Sequence, residues 1–166
     1  MKFKQFLAEE AKKNLVVFYG GRFQPMHKGH YELYSSLVKK FGKDNVYVST
    51  KLSKDAEKQH VKGDFSKDPL TFEEKVQVIT KMFDIKKDHI VNADPYRPDL
   101  EKIGRDPKKT SVVLAFSEKD AGRLIPGKVM QPYPKDDKNL EPLISGTEDD
   151  TKSRMYYVTM PVNFAG

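Results

Sequence analysis

The run Leu15-Val-Val-Phe-Tyr19 is apolar at every position and stops at Gly20-Gly21. A run that is apolar throughout, rich in β-branched and aromatic residues, belongs to a strand covered on both faces. Beyond it, Leu33, Tyr34, Leu37, Val38 and Phe41 recur at helical spacing, and Gly42 stands where a C-terminal cap belongs. Strand, glycine turn and helix in this order open a parallel sheet, because a strand buried on both faces needs covering layers above and below it.

The pattern repeats along the chain. Asn45 to Thr50 reads as a second strand, and Lys51 to Asp68 is a long polar stretch carrying Lys51, Lys54, Lys58, Lys62 and Lys67, read as a solvated loop. At Pro69-Leu-Thr71-Phe-Glu-Glu74, Thr71 and Glu74 have the spacing of a capping box, and Phe72, Val76, Ile79 and Phe83 supply the buried face of the helix that follows. His89 to Ala93 and Val112 to Phe116 read as further buried strands, with Val129-Met130 and Met155 to Met160 as weaker ones. The expected fold class is α/β, a Rossmann-like parallel sheet with helices on both faces. The chain is expected to be a single domain over 1–166, with a short helix at 1–13 built on Phe3, Phe6 and Leu7, and a long loop from Pro126 to Thr151.

With 30 basic and 24 acidic residues the net charge is +6 and the isoelectric point about 9.3, which invites an anionic partner. Nucleic acid is disfavoured: the lysines between 51 and 67 alternate with Asp55, Glu57 and Asp64, and no aromatic ladder accompanies them. There are no cysteines, so thiol nucleophiles, disulfides and cysteine-bound metals are excluded. No apolar run approaches the roughly 20 residues of a membrane span, so no membrane partner is expected and a cytoplasmic protein is the expectation.

The chemistry is concentrated after the first strand, in Gly20-Gly-Arg-Phe-Gln-Pro-Met-His27-Lys-Gly-His30. A spacing of three puts His27 and His30 on one side of the first helical turn, where free backbone N–H groups and the positive dipole end also point. Gly20 and Gly21 allow close backbone approach, Arg22 offers a planar cation, Lys28 adds charge and Gly29 leaves room between the rings. Composition alone predicts about 0.006 such H-x-G-H tetrads in a chain like this, so the motif is not a product of chance. A zinc site is disfavoured, since His60 and His89 fall in other segments.

On these residues the chain resembles the nucleotidyltransferase superfamily marked by H-x-G-H, which includes adenylyltransferases and cytidylyltransferases. Asp68-Pro-Leu-Thr-Phe-Glu-Glu-Lys75 resembles that group's N-P-[FL]-[ST] helix start, with Lys75 at its basic position, and Val112 to Phe116 followed by Ser-Glu-Lys-Asp120 resembles the strand and turn that place an acidic residue near the nucleotide. The resemblance implies the nucleotidylyltransferase α/β phosphodiesterase type of fold. It implies His27 and His30 as catalytic residues, Gly20, Gly21, Arg22, Phe23, Gln24, Lys28, Gly29 and Asp120 as nucleotide-binding, and Lys75 as substrate-binding. The implied reaction moves a nucleotidyl group from a nucleoside triphosphate to a phosphate monoester and releases pyrophosphate. Mg²⁺ is expected to be carried mainly on the substrate phosphates, with no protein metal site.

Arg22-Phe-Gln-Pro25 is most similar to nicotinamide mononucleotide adenylyltransferases, which favours ATP and that acceptor; the alternative is a cytidylyltransferase acting on a phosphorylated alcohol or head group. From another class come a basic nucleic-acid-binding module and a non-catalytic nucleotide-binding module. The N-terminal Phe3-Lys-Gln-Phe-Leu-Ala-Glu-Glu10 and the insertions resemble phage-encoded members, and the superfamily also implies a homo-oligomer. Its late I-S-x-T-x-x-R motif is matched only in its first half by Ile144-Ser-Gly-Thr147, with Asp150 at the basic position, and the expectation is a chain truncated before that motif.

Overall fold

The computed structural model describes residues 14–66, 68–94, 99–118, 130–135, 140–143 and 155–160. Strands β1 (Leu15–Gly20), β2 (Val46–Thr50), β3 (Ile90–Asn92), β4 (Ser111–Ser117), β5 (Met130–Pro132) and β6 (Met155–Met160) form one sheet in the order β3-β2-β1-β4-β6-β5. Every neighbouring pair is parallel. The fold is the expected Rossmann-like α/β type. Pro132, which has no N–H to donate, lies in β5 at the edge, where a missing ladder bond costs least.

All six residues of β1 are buried, as an apolar run without alternation requires. Leu15, Val17 and Tyr19 face one side, joined there by Leu33, Leu37 and Phe41 of helix α1 (Lys28–Phe41) and by Val76 and Ile79 of helix α3 (Phe72–Met82). Val16 and Phe18 face the other, with Val112, Leu114, Phe116, Leu100 and Leu143. Among the described residues the helical cover is therefore α-helical on the first side, while on the second Ile103 of the 3-10 turn Glu101–Ile103 packs in. Each fully buried side chain of this size contributes about 1.5–3 kcal/mol relative to exposure.

Local signals set the element ends. The Gly42 N–H donates to the Val38 carbonyl at a positive φ of 95° that suits glycine, closing α1. The Thr71 hydroxyl accepts from the Glu74 N–H and the Glu74 carboxylate accepts from the Thr71 N–H, the capping box that opens α3. The polar stretch after β2 departs from the expected loop: Lys54–Val61 is helix α2, with the Ser53 hydroxyl accepting from the Ala56 N–H. Only Ala56 of this helix is buried, so it has no apolar stripe for periodicity to detect. His89 belongs to the 3-10 turn Lys87–His89 that precedes β3; β5 is described over Met130–Pro132, and Val129 lies outside the described residues. The expected helix at 1–13, Lys67, Asp120, most of the Pro126–Thr151 segment, the Ile144-to-Thr147 half-motif and the chain end lie outside the described residues.

Candidate nucleotide site

Because the sheet is parallel throughout, the carboxyl ends of all its strands share one rim. Strand order reverses between β1 and β4, since β2 and β3 lie to one side of β1 and β4 to the other. At such a reversal the turn leaving the first strand opens into a crevice, the usual ligand position in sheets of this kind.

The turn after β1 is held tightly. The Gly21 N–H donates to the Ser49 carbonyl of β2 at 3.3 Å, and a Cβ on Gly21 would stand 2.8 Å from Phe23 Cζ. Phe23 itself takes a left-handed φ of 49°, uncommon for a bulky residue. Its ring is 3% exposed and meets Tyr19 and His30 edge-on, each at 5.2 Å between centroids. Gln24, joined to Pro25 by a cis peptide bond, turns its side-chain amide to Leu70. Phe23 thus packs under His30, and the Gln24 amide is hydrogen-bonded to the chain at Leu70.

His27 is the N-cap of α1, and its Nδ1 accepts from the Gly29 N–H at 3.1 Å. His30 Nδ1 accepts in turn from the His27 N–H at 3.1 Å, and the rings stack at 3.6 Å. Two imidazoles therefore do the work that Ser or Thr and Glu do in an ordinary capping box. An Nδ1 that accepts carries no proton, so each neutral ring holds its proton on Nε2. The capping bonds leave each ring's Nε2 outside the cap, beside a helix N-terminus whose dipole favours anions. His27, Arg22 and Lys28 are exposed around it, and Gly29 is buried beneath.

Beside this turn lies a charge that composition could not reveal. Lys75 is only 1% exposed, and its Nζ donates to Thr50 Oγ1 at 3.3 Å, its hydrogen-bond partner among the described residues. The Thr50 hydroxyl donates onward to the Arg22 carbonyl at 3.2 Å. Burial holds the Lys75 ammonium below its ordinary range; Asp68 works against that shift and Arg22 adds to it. A buried cation bonded to one neutral hydroxyl is costly unless an anion completes it. The sequence carried a signal for this burial: Phe72, Lys75, Val76 and Ile79 fall at i, i+3, i+4 and i+7, the spacing of an apolar stripe, with lysine standing inside it. Thr50, fully buried at the end of β2, passed unnoticed because a threonine in a strand is ordinary. The Ser49 hydroxyl donates to the Ala93 carbonyl, so the ends of β1, β2 and the segment after β3 are tied together.

The other histidines are structural. His60 bonds the Asp68 carbonyl beside Phe65, while His89 donates to the Val46 carbonyl and stacks on Tyr47. Among the described residues no three His, Asp or Glu side chains converge on a point, and no helix is long and apolar enough to cross a membrane.

The sequence model of cytidylyltransferase-like proteins matches residues 18–122, from within β1 past the end of β4. The match covers more than half of the chain, and the chain belongs to that family. Membership implies nucleotidyl transfer from a nucleoside triphosphate. No curated protein and no solved structure gives a significant match.

Proposed function

We propose that the protein transfers an adenylyl group from ATP to a small phosphate monoester, with nicotinamide mononucleotide the favoured acceptor, and releases pyrophosphate. The reading rests on one observation above all: two imidazoles, stacked and bonded through Nδ1 to the backbone, stand at the head of α1 directly after β1. An acceptor phosphate oxygen attacks the α-phosphorus, the new P–O bond forms, the α–β bridging bond breaks, and the electron pair leaves on pyrophosphate. Charge builds on the non-bridging oxygens and on the leaving group, so donors fixed in place by the backbone lower the barrier without reorganising. The acceptor phosphate is ionised near neutral pH and requires no general base. Arg22 and Lys28 would steady the triphosphate, and the Lys75 ammonium would complete its coordination with the acceptor phosphate. Mg²⁺, when bound on the substrate phosphates, supplies further charge neutralisation. Adenylyl over cytidylyl transfer is favoured by Arg22-Phe-Gln-Pro25, through the resemblance alone.

The test is pyrophosphate release with Mg²⁺ and either ATP or CTP against a panel of phosphorylated acceptors. ATP with nicotinamide mononucleotide should give the highest rate, and H27A and H30A should each lower it by about 10²–10³-fold. Release undiminished by both substitutions would remove the histidines from the mechanism, and a preference for CTP would reassign the nucleotide.

A further inference from the structure

The turn that carries the histidines and the segment that leads to Lys75 are 46 residues apart in sequence and are joined by one side chain. Gln24 Nε2 donates to the Leu70 carbonyl at 3.2 Å, and Gln24 Oε1 accepts from the Leu70 N–H at 2.9 Å. A primary amide that satisfies both backbone groups of one residue fixes that residue in position and in rotation, as one neighbouring strand fixes another. Leu70 directly precedes Thr71, the N-cap of α3, and Lys75 lies on the first turns of that helix. On the other side of the same strap, the His60 ring bonds the carbonyl of Asp68, whose carboxylate acts electrostatically on Lys75. At its far end Lys75 returns to the turn through Thr50 and the Arg22 carbonyl. The result is a closed circuit from the turn through Gln24, Leu70, α3, Lys75 and Thr50 back to the turn.

We infer that Gln24 is a positioning residue that sets the Asp68–Thr71 strap and, through the start of α3, places the Lys75 ammonium for the acceptor phosphate relative to the triphosphate held by His27 and His30. This rests on the function proposed above for where the acceptor phosphate sits, and it adds a residue that acts through the fold instead of by touching substrate. Its prediction is asymmetric. Loss of the Gln24 amide should loosen the acceptor side while leaving the imidazole pair, which is fixed by α1's own backbone, in place.

Two variants separate the roles. Gln24→Met keeps the length and removes both hydrogen bonds, and Gln24→Glu keeps an oxygen that can accept from the Leu70 N–H. Hydrogen exchange of the Leu70 amide, followed by NMR, reads the clasp without any turnover. It should lose protection in Q24M and keep most of it in Q24E. Steady-state transfer from ATP to nicotinamide mononucleotide should show the KM for the acceptor raised about tenfold in Q24M, with the KM for ATP moved by less than about twofold, and Q24E falling between. The Lys75 ammonium titration, also by NMR, should shift upward in Q24M as water reaches it. A Leu70 amide still protected in Q24M, an unmoved Lys75 titration, or the two KM values rising together would overturn the inference. If the wild-type protein transfers to no acceptor, the functional reading fails by itself, and the Leu70 exchange and Lys75 titration still decide whether Gln24 governs the position of Lys75.

Discussion

His27 and His30 stack at 3.6 Å while each ring accepts a backbone N–H through Nδ1, so the pair that the proposed function uses for phosphate contact also caps the helix. Structural and chemical roles can be pulled apart, because capping needs any good acceptor whereas phosphate contact needs a donor. H27A should lose about 1 kcal/mol of stability together with the cap. H27D and H30E supply acceptors suited to N-cap and N3 while carrying no side-chain donor when ionised, and should restore the denaturation midpoint to near wild type. Pyrophosphate release in H27D and in H30E should still fall by about 10²–10³-fold, the cost of losing one preorganised donor, and should fall further in the double variant. Urea denaturation and the pyrophosphate assay on the same samples decide it; recovery of activity along with stability would mean that the histidines are caps only.

Lys75 reverses the usual relation between a deletion and stability. Its folded-state pKa is depressed from 10.5 by burial, so at neutral pH the fold bears the cost of a charged group in its interior. That cost is full below the folded-state value and is relieved as pH rises toward 10.5, because there the unfolded chain holds more protons than the native one. Lys75→Met should therefore stabilise the protein at pH 7, by about 1 kcal/mol or more. Its advantage over wild type should shrink as the pH approaches 10.5, and its acceptor KM should rise sharply. Thermal unfolding at several pH values tests the first two statements, and a K75M protein less stable than wild type at pH 7 would contradict them.

Gly21 is required by its neighbour's ring. A Cβ there would stand 2.8 Å from Phe23 Cζ, with the ring confined by Tyr19 and His30. Gly21→Ala should destabilise by about 1–3 kcal/mol through overpacking and should lower transfer by disturbing His30. Adding Phe23→Leu should recover part of the stability lost in G21A. A double-mutant cycle measures the coupling, and strict additivity would show that the two positions do not compete for the same space.

At the alkaline end Tyr34 takes over. Burial first, then Tyr31 and Asp84, raise its hydroxyl pKa from 10.0 to about 12. The neutral phenol is favoured in the fold, so its contribution is intact below pH 10 and is lost as pH climbs through about 12. Over that window wild type should lose on the order of 2 kcal/mol that Tyr34→Phe retains. Denaturation of both proteins from pH 9 to 12 checks this, and a difference between them that stays constant over that range would mean that the fold does not hold the phenol neutral.

How much of this was legible in the sequence depended on whether apolar burial wrote the signal. Leu15 to Tyr19 and Leu33 to Phe41 announced β1 and α1 because each is packed by side chains that must be apolar, and Thr71 and Glu74 announced α3 because a capping box has few alternatives. Helix α2 was hidden because it buries little more than Ala56, leaving only a Ser53 cap to mark it. The position of the histidines could be read, but their capping bonds could not, since histidine is an uncommon partner in that motif. Gln24 and Thr50 were illegible as structural members: their contacts are with backbone groups at Leu70 and Arg22, and a backbone group carries no residue type to recognise.

The uniform strand direction also leaves an idle side to the molecule. The turn before β3, with Lys86, Lys87 and the His89 ring stacked on Tyr47, stands at the amino ends of the strands, across the sheet from every group given a chemical role above. Lys86 and Lys87 are exposed there. A cysteine placed at Lys87 would be the sole thiol in a chain that has none, giving a unique handle for a fluorophore or a surface tether that reports on ligand binding without standing in its way.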